Sequence, residues 1–424
     1  MPDYLILPRA REIRGTVRAP SSKSSTNRAL VLAALSPTPV TLVRPLDCDD
    51  ADALVASLRV MGARISASEG ALEVSGPLRG GPEEIVLDAR DSGTAARFLA
   101  AVAAATPGRF RLDGSPRLRE RPMRGLLDAL ESAGVRVVPL GRRGSLPLEI
   151  EGGALRPSEV EVDGRESSQF LSALLLAGVA VEGGLAVRPT GTVVSAPYVA
   201  LTVETLRAFG HSVETEGGAF RVRRGERAIS SYEVPGDFSS AIALLAVAAA
   251  GARGSVTVRG VSRDSAAPDA AALDVLEAFG LEIAGEPGAV TATLASPPLS
   301  AVSVRASDFP DAVPVLAALA ALAKGESRFS GIAHLRLKES DRIAALASLI
   351  PAAGARVRAT DADLVVTGGA RAGDGAILPT FRDHRIAMAA GIVSLALGGY
   401  RIENPGSVSK SYPAFFRDLA TLSH

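Results

Sequence analysis

A chain of 424 residues is too long for one ordinary core, and two domains of about 200 residues each are expected. Its 46 basic and 46 acidic residues cancel, which argues against a nucleic-acid or membrane-surface protein, whose footprint is a large basic excess. The single cysteine, Cys48, excludes an internal disulfide framework and fits a reducing cytosol, and no Cys/His spacing suits zinc.

The opening MPDYLILPRAREIRG has no long apolar stretch after a basic one, so no secretory leader is expected, and residues 3–19 read as strand (YLILP, REIRGTVRAP). From Ser22, SKSSTNRALVLAALSPTPVTLVRP sets a polar cluster before an Ala/Leu-rich helix too apolar for a surface, then a short strand. An amphipathic helix from Asp49 follows, stopped by a Gly before the next strand. The same order returns at intervals of about 70 residues. It restarts at Asp91 (DSGTAARFLAAVAAATPGRFRLDG), Glu166 (ESSQFLSALLLAGVAVEGGLAVRP), Asp237 (DFSSAIALLAVAAAGARGSVTVRG), Asp308 (DFPDAVPVLAALAALAKGESRFSG) and Asp383 (DHRIAMAAGIVSLALGGYRIENPG). Second, amphipathic helices begin near Met123, Tyr198, Asp269, Glu339 and Tyr412. Apolar runs such as AIALLAVAAAGA from Ala241 fall short of the roughly 20 residues that cross a bilayer, and read as core. The last copy ends with its second helix, so the N-terminal strand is expected to complete the C-terminal half, with chain crossings near Pro20 and near Pro235–Gly236.

The polar starts are the candidates for chemistry, because helix N-termini present free N–H groups and partial positive charge to anions. Lys23 and Arg28 oppose the dipole of their own helix, which suggests that an anion joins them; a Ser cap with two solvated cations is the alternative. DSGT at Asp91–Thr94 can cradle an oxyanion or simply cap a helix, and one functional arginine is expected among Arg117, Arg119, Arg121 and Arg124. Ser167, Ser168 and Gln169, with Ser195 and Tyr198 at the next helix start, suit a ligand with several hydroxyls. In LRLKESDR, Glu339 and Arg342 can form a surface ion pair, or Lys338 and Glu339 can be an acid/base pair. Asp311 falls in the first turn of a very apolar helix, as a cap or a general base. His384 and Arg385 open the last copy, and Lys410 lies in the loop after it.

SKSSTNRAL, DSGTAARFL, ERPMRGLLDAL, ESSQFLSALL, SAPYVALT, DFPDAVPVLAALA, LRLKESDR, DHRIAMA and SKSYP, in this order and spacing, resemble the 5-enolpyruvylshikimate-3-phosphate synthase family over essentially the whole chain. The resemblance implies an α+β protein of two domains, an inside-out α/β prism with three βαβαββ repeats per domain about a pseudo-threefold axis. Residues 20–236 would be the shikimate 3-phosphate side, and 1–19 with 237–424 the phosphoenolpyruvate side, the two closing over the substrates. It further implies enolpyruvyl transfer from phosphoenolpyruvate to the 5-hydroxyl of shikimate 3-phosphate, through a tetrahedral ketal, in aromatic amino acid biosynthesis. The enzyme would be a cytoplasmic monomer acting on these small molecules, with no cofactor, metal, nucleic acid or membrane.

Carried over residue by residue, the resemblance gives shikimate 3-phosphate to Lys23, Ser24, Arg28, Ser167, Ser168, Gln169, Ser195, Tyr198, Asp311 and Lys338. It gives phosphoenolpyruvate to Lys23, Gly93, Arg121, Gln169, Arg342, Arg385 and Lys410, with Asp91, Thr94 and His384 in support. Asp311 would take the 5-hydroxyl proton and Glu339 protonate the methylene carbon, with Lys23 and Lys338 assisting. The chain departs from the family pattern at Asp91 and His334, where Asn is usual; Asp91 is expected to pair with a neighbouring arginine. The related transferase acting on UDP-N-acetylglucosamine carries a reactive loop cysteine, whereas Cys48 reads as a small buried thiol. An inactive anion-binding scaffold is the other rival, and it would need no carboxylates. The fourth copy, from Asp237, is expected to be purely structural.

Overall fold

Five amphipathic helices end at a glycine. Gly62, Gly134, Gly210, Gly280 and Gly354 each follow an amphipathic helix with φ of 96°, 88°, 83°, 105° and 84°, a left-handed conformation that costs a residue with a Cβ far more. Each then turns the chain into an antiparallel strand pair. The protein is described by a computed structural model covering residues 3–156, 159–226, 228–294 and 297–424. It divides into two compact units, Ser21–Pro235 and Met1–Pro20 with Gly236–His424.

The apolar runs form six helices: α1 Lys23–Ala34, α2 Gly93–Ala105, α3 Ser168–Gly178, α4 Phe238–Ala246, α5 Val313–Leu322 and α6 His384–Leu397. They have no solvent face: every residue of α4 is buried, as is all of α5 but Leu322. Within Ser21–Pro235, α1, α2 and α3 each touch the other two; in the other unit α4, α5 and α6 do the same. Alanine keeps these trios close, and leucine, valine and isoleucine fill between them, so each unit has its own continuous core.

Sheets wrap each trio. In Ser21–Pro235 the strand after each buried helix lies parallel to one strand and antiparallel to another, giving three four-stranded sheets. The orders are 231–233/40–43/71–75/64–68, 84–88/108–113/148–152/136–139 and 159–163/185–190/219–223/212–216. Ser231–Glu233, at the end of this unit, closes onto its first repeat beside Val40–Val43. The N-terminus serves two sheets of the other unit: Glu12–Arg18 runs parallel to Arg253–Arg259, and Tyr4–Leu5 pairs antiparallel with Arg401–Glu403. That last sheet has three strands, the others four. The fold is thus two-domain and α/β in content, with mixed sheets and, among the described residues, no closed barrel.

Candidate active site

The three buried helices of Ser21–Pro235, α1, α2 and α3, each begin with a serine cap. Ser22, Ser92 and Ser167 accept from the backbone N–H of Ser25, Ala95 and Gln169 through their side chains. Such neutral caps leave the helix dipole unneutralised. Lys23, 8% exposed, meets Asp50 of the next helix at 3.3 Å, a partner the sequence did not assign. Arg28 is 2% exposed and held entirely by neutral groups. It donates to Thr202 Oγ1 (2.8 Å), Ser172 Oγ (3.3 Å), and the carbonyls of Ser24 (2.8 Å) and Tyr198 (3.0 Å), and lies over the Phe98 ring. Desolvation pushes its pKa down to about 10, still charged at neutral pH.

Gly93, the first residue of α2, faces two arginines. A Cβ there would fall onto the Arg121 guanidinium and within 2.6 Å of Arg97 Nη1. Arg97, absent from the sequence reading, donates to the carbonyls of Gly93 (3.0 Å) and Pro122 (2.6 Å) and pins the turn that carries Arg121. Gln169 Nε2 donates to Thr94 Oγ1 at 3.2 Å, joining the starts of α2 and α3. Ser168 and Ser195 are buried, Ser167 and Tyr198 half-buried, and Ser195 holds a left-handed φ of 54°. Asp91 is exposed and accepts from the Ser115 hydroxyl.

In the other unit the site is a charge network. Arg342, 1% exposed, donates to Asp311 Oδ1 (2.7 Å), Glu339 Oε2 (3.0 Å) and Asp383 Oδ2 (2.9 Å). The surface ion pair considered for Glu339 and Arg342 is therefore corrected to a buried one. Burial works against its charge, yet Asp383, Glu339 and Asp311 outweigh that and hold its pKa well above the ordinary value. Asp383 also caps α6 through the Arg385 N–H (2.9 Å) and accepts from Ser340 (3.0 Å). Asp311 Oδ2 lies 3.6 Å from Arg385 Nη2, so this carboxylate stands between two guanidiniums. Its placement in the first turn of a helix is also corrected: α5 starts at Val313, and with Pro314 in its first turn it has no side-chain cap.

His334 is 7% exposed, on a short 3₁₀ turn Ala333–Leu337, and its Nε2 has no hydrogen-bond partner. Desolvation and then the Lys338 charge push its pKa down to about 3 against the pull of Asp311, so the ring is neutral. Lys338 is half-buried beside it; Lys410 and His384 are buried, His384 opening α6. Cys48 is buried before the helix Asp49–Val60, and desolvation with the Asp50 charge pushes its thiol up to about 12, an inert state. Among the described residues no His, Cys, Asp and Glu group could hold a metal ion, and no helix is long and apolar enough to cross a membrane.

Three buried helices in each unit, with cations and hydroxyls at the helix starts of Ser21–Pro235 and three carboxylates around Arg342 in the other unit, define an enzyme that handles small anions. The model of the EPSP synthase (3-phosphoshikimate 1-carboxyvinyltransferase) family matches residues 8–419, and the chain belongs to that family. It is 42% identical over 412 residues to the 3-phosphoshikimate 1-carboxyvinyltransferase of Thermococcus kodakarensis, covering 97% of this chain and 98% of the relative. To the enzyme of that name from Nitrosomonas europaea it is 37% identical over 433 residues, covering 99% of both. The solved EPSP synthase of Acinetobacter baumannii superposes with a TM-score of 0.79 at 25% identity, covering 100% of this chain and 98% of that one. The enolpyruvyl transferase NikO of Streptomyces tendae, at 20% identity and a TM-score of 0.76 over 99% of this chain and 97% of its own, shares the fold.

Proposed function

We propose that this chain transfers the enolpyruvyl group of phosphoenolpyruvate to the 5-hydroxyl of shikimate 3-phosphate, releasing phosphate. The observation that carries the reading is Asp311 set between Arg342 and Arg385, with Glu339 on the same Arg342: a base, an acid and two cations in one cluster. In this reading the hydroxyl proton passes to Asp311 as oxygen bonds to C2 of phosphoenolpyruvate, and Glu339 protonates C3 to a methyl group. The ketal then returns a methyl proton to the Glu339 carboxylate as its C–O bond to phosphate breaks, restoring the double bond and releasing phosphate.

Both arginines are 1% exposed, so an anion reaches them by taking the place of a carboxylate. That exchange is productive: once phosphoenolpyruvate draws on Arg342 and Arg385, Asp311 and Glu339 lose counter-charge and take up a proton more readily. Lys23, Gly93, Arg121, Gln169 and Lys410 complete the hold on phosphoenolpyruvate. Lys23, Ser24, Arg28, Ser167, Ser168, Gln169, Ser195, Tyr198, Asp311 and Lys338 hold the acceptor. Arg28 supports this role as a buried cation whose hydrogen-bond partners are hydroxyls and carbonyls, leaving its charge for a phosphate or polyol. The residues of Ser21–Pro235 thus serve mainly the acceptor, and those of the other unit mainly phosphoenolpyruvate. The lone, buried Cys48 fits a cytoplasmic place, and we take the enzyme to act as a monomer.

The test is acceptor dependence. Purified protein is expected to release phosphate from phosphoenolpyruvate only with shikimate 3-phosphate present; release with UDP-N-acetylglucosamine instead would overturn the assignment. A second expected result concerns Gly93→Ala. Its Cβ displaces the flexible ends of Arg121 and Arg97 rather than backbone, so the fold is kept while an anion contact is lost. The KM for phosphoenolpyruvate should rise about tenfold, the scale of one charge-assisted hydrogen bond, with little change for shikimate 3-phosphate. Steady-state kinetics with each substrate varied in turn checks this.

A further inference from the structure

The start of α4 is not the inert scaffold that its sequence suggests. Asp237 caps the helix, accepting from the Ser240 N–H at 2.7 Å, and the same Oδ1 accepts from Ser239 Oγ at 2.7 Å. Arg385 Nη2, from α6, donates to that Ser239 Oγ and lies 3.8 Å from Asp237 Oδ1. An arginine carries only donors, so Ser239 Oγ must accept from it, and the hydroxyl's one hydrogen goes to Asp237. The carboxylate thereby strengthens the oxygen as an acceptor. Because Asp237 is locked by its capping role, the serine is fixed, and with it one end of the guanidinium.

We propose that Ser239, held by Asp237, is a positioning residue that keeps Arg385 in place for the anionic substrate and off the carboxylate of Asp311. The claim rests on the function proposed above. Asp311 Oδ2 is 3.6 Å from the same Nη2, nearer than Asp237 Oδ1 at 3.8 Å, so of these two carboxylates it is Asp311 that pulls harder on that Nη2 once the serine is gone. Arg385 would then close onto the base and be lost to the substrate. Ser239 is 5% exposed and acts through the arginine, not by touching ligand. Ser240 provides the matched control: it is fully buried on the same turn, and its Oγ has no hydrogen-bond partner.

The experiment compares Ser239→Ala, Ser239→Thr and Ser240→Ala. Ser239→Ala is expected to raise the KM for phosphoenolpyruvate about tenfold, the effect of one charge-assisted hydrogen bond, and to leave that for shikimate 3-phosphate within about twofold. Ser239→Thr keeps the oxygen and should return the value to within about threefold of the parent, and Ser240→Ala should match the parent. Affinity for inorganic phosphate, read by calorimetry, should fall in parallel with Ser239→Ala. That readout needs no acceptor, so it tests the anion hold even if the parent fails the acceptor assay and the functional reading falls. Ser239→Ala behaving like Ser240→Ala in both measurements, or weakening both substrates equally, would overturn the proposal.

Discussion

Replacing Asp311 by alanine is expected to lower turnover by about two to four orders of magnitude, the range for losing a positioned acid or base, while the KM for phosphoenolpyruvate stays level or falls. Turnover drops because Asp311, set between the guanidiniums of Arg342 and Arg385, is the base of the proposed reaction. Phosphoenolpyruvate binding is spared because Asp311 competes with the anion for those two guanidiniums. Glu339→Ala should behave alike, since Glu339 shares Arg342 at 3.0 Å. Turnover at saturating substrates, with calorimetric binding of shikimate 3-phosphate, separates the outcomes. Near-normal turnover in either variant removes that residue from the acid/base role.

Arg342→Met is expected to cost stability as well as activity. The guanidinium faces Asp311, Glu339 and Asp383, and Asp383 has no solvent exposure. Removing one partner of a buried ion pair leaves uncompensated charge and typically costs about 3–5 kcal/mol. Asp383 keeps its bonds to the Arg385 N–H and to Ser340, so the loss should lie at the lower end of that range. Arg342→Lys restores the charge but not the fork that reaches three acids, and should recover only part of the loss. Urea unfolding measures this through the unit that holds Arg342. An unchanged midpoint for Arg342→Met would show that the network contributes nothing to stability.

Much of the fold was legible because its signals are local. An Ala/Leu run with no polar face has nowhere to go but the interior, and α1 to α6 lie where such runs occur. The five glycines before strands marked helix stops because the left-handed conformation they adopt is a property of one residue. The polar helix starts were visible too, as caps. Their pairing was not, because partners come from other elements. Asp50 for Lys23, Arg97 beside Gly93, Asp383 for Arg342 and Ser239 for Arg385 each depend on how helices meet in the trio. Asp311 was misplaced for a different reason: Pro314 sets the start of α5 at Val313, which puts the carboxylate ahead of the helix and frees it to meet Arg342.

The division of labour among the helix caps has a physical logic. Serine caps on α1, α2 and α3 leave their helix dipoles available to an anion, the acceptor in the function proposed above, while Asp237 and Asp383 neutralise the starts of α4 and α6. There the anion is left to the arginines, which the carboxylates hold ready.

Addition of the acceptor to phosphoenolpyruvate followed by elimination of phosphate is tested most directly in deuterium oxide. Protonation at C3 makes a methyl group, and elimination then removes one of its three hydrogens. Run in deuterium oxide with shikimate 3-phosphate, the enolpyruvyl product should carry solvent deuterium at its methylene carbon, read by mass spectrometry. Product formed at the normal rate without deuterium would contradict the account.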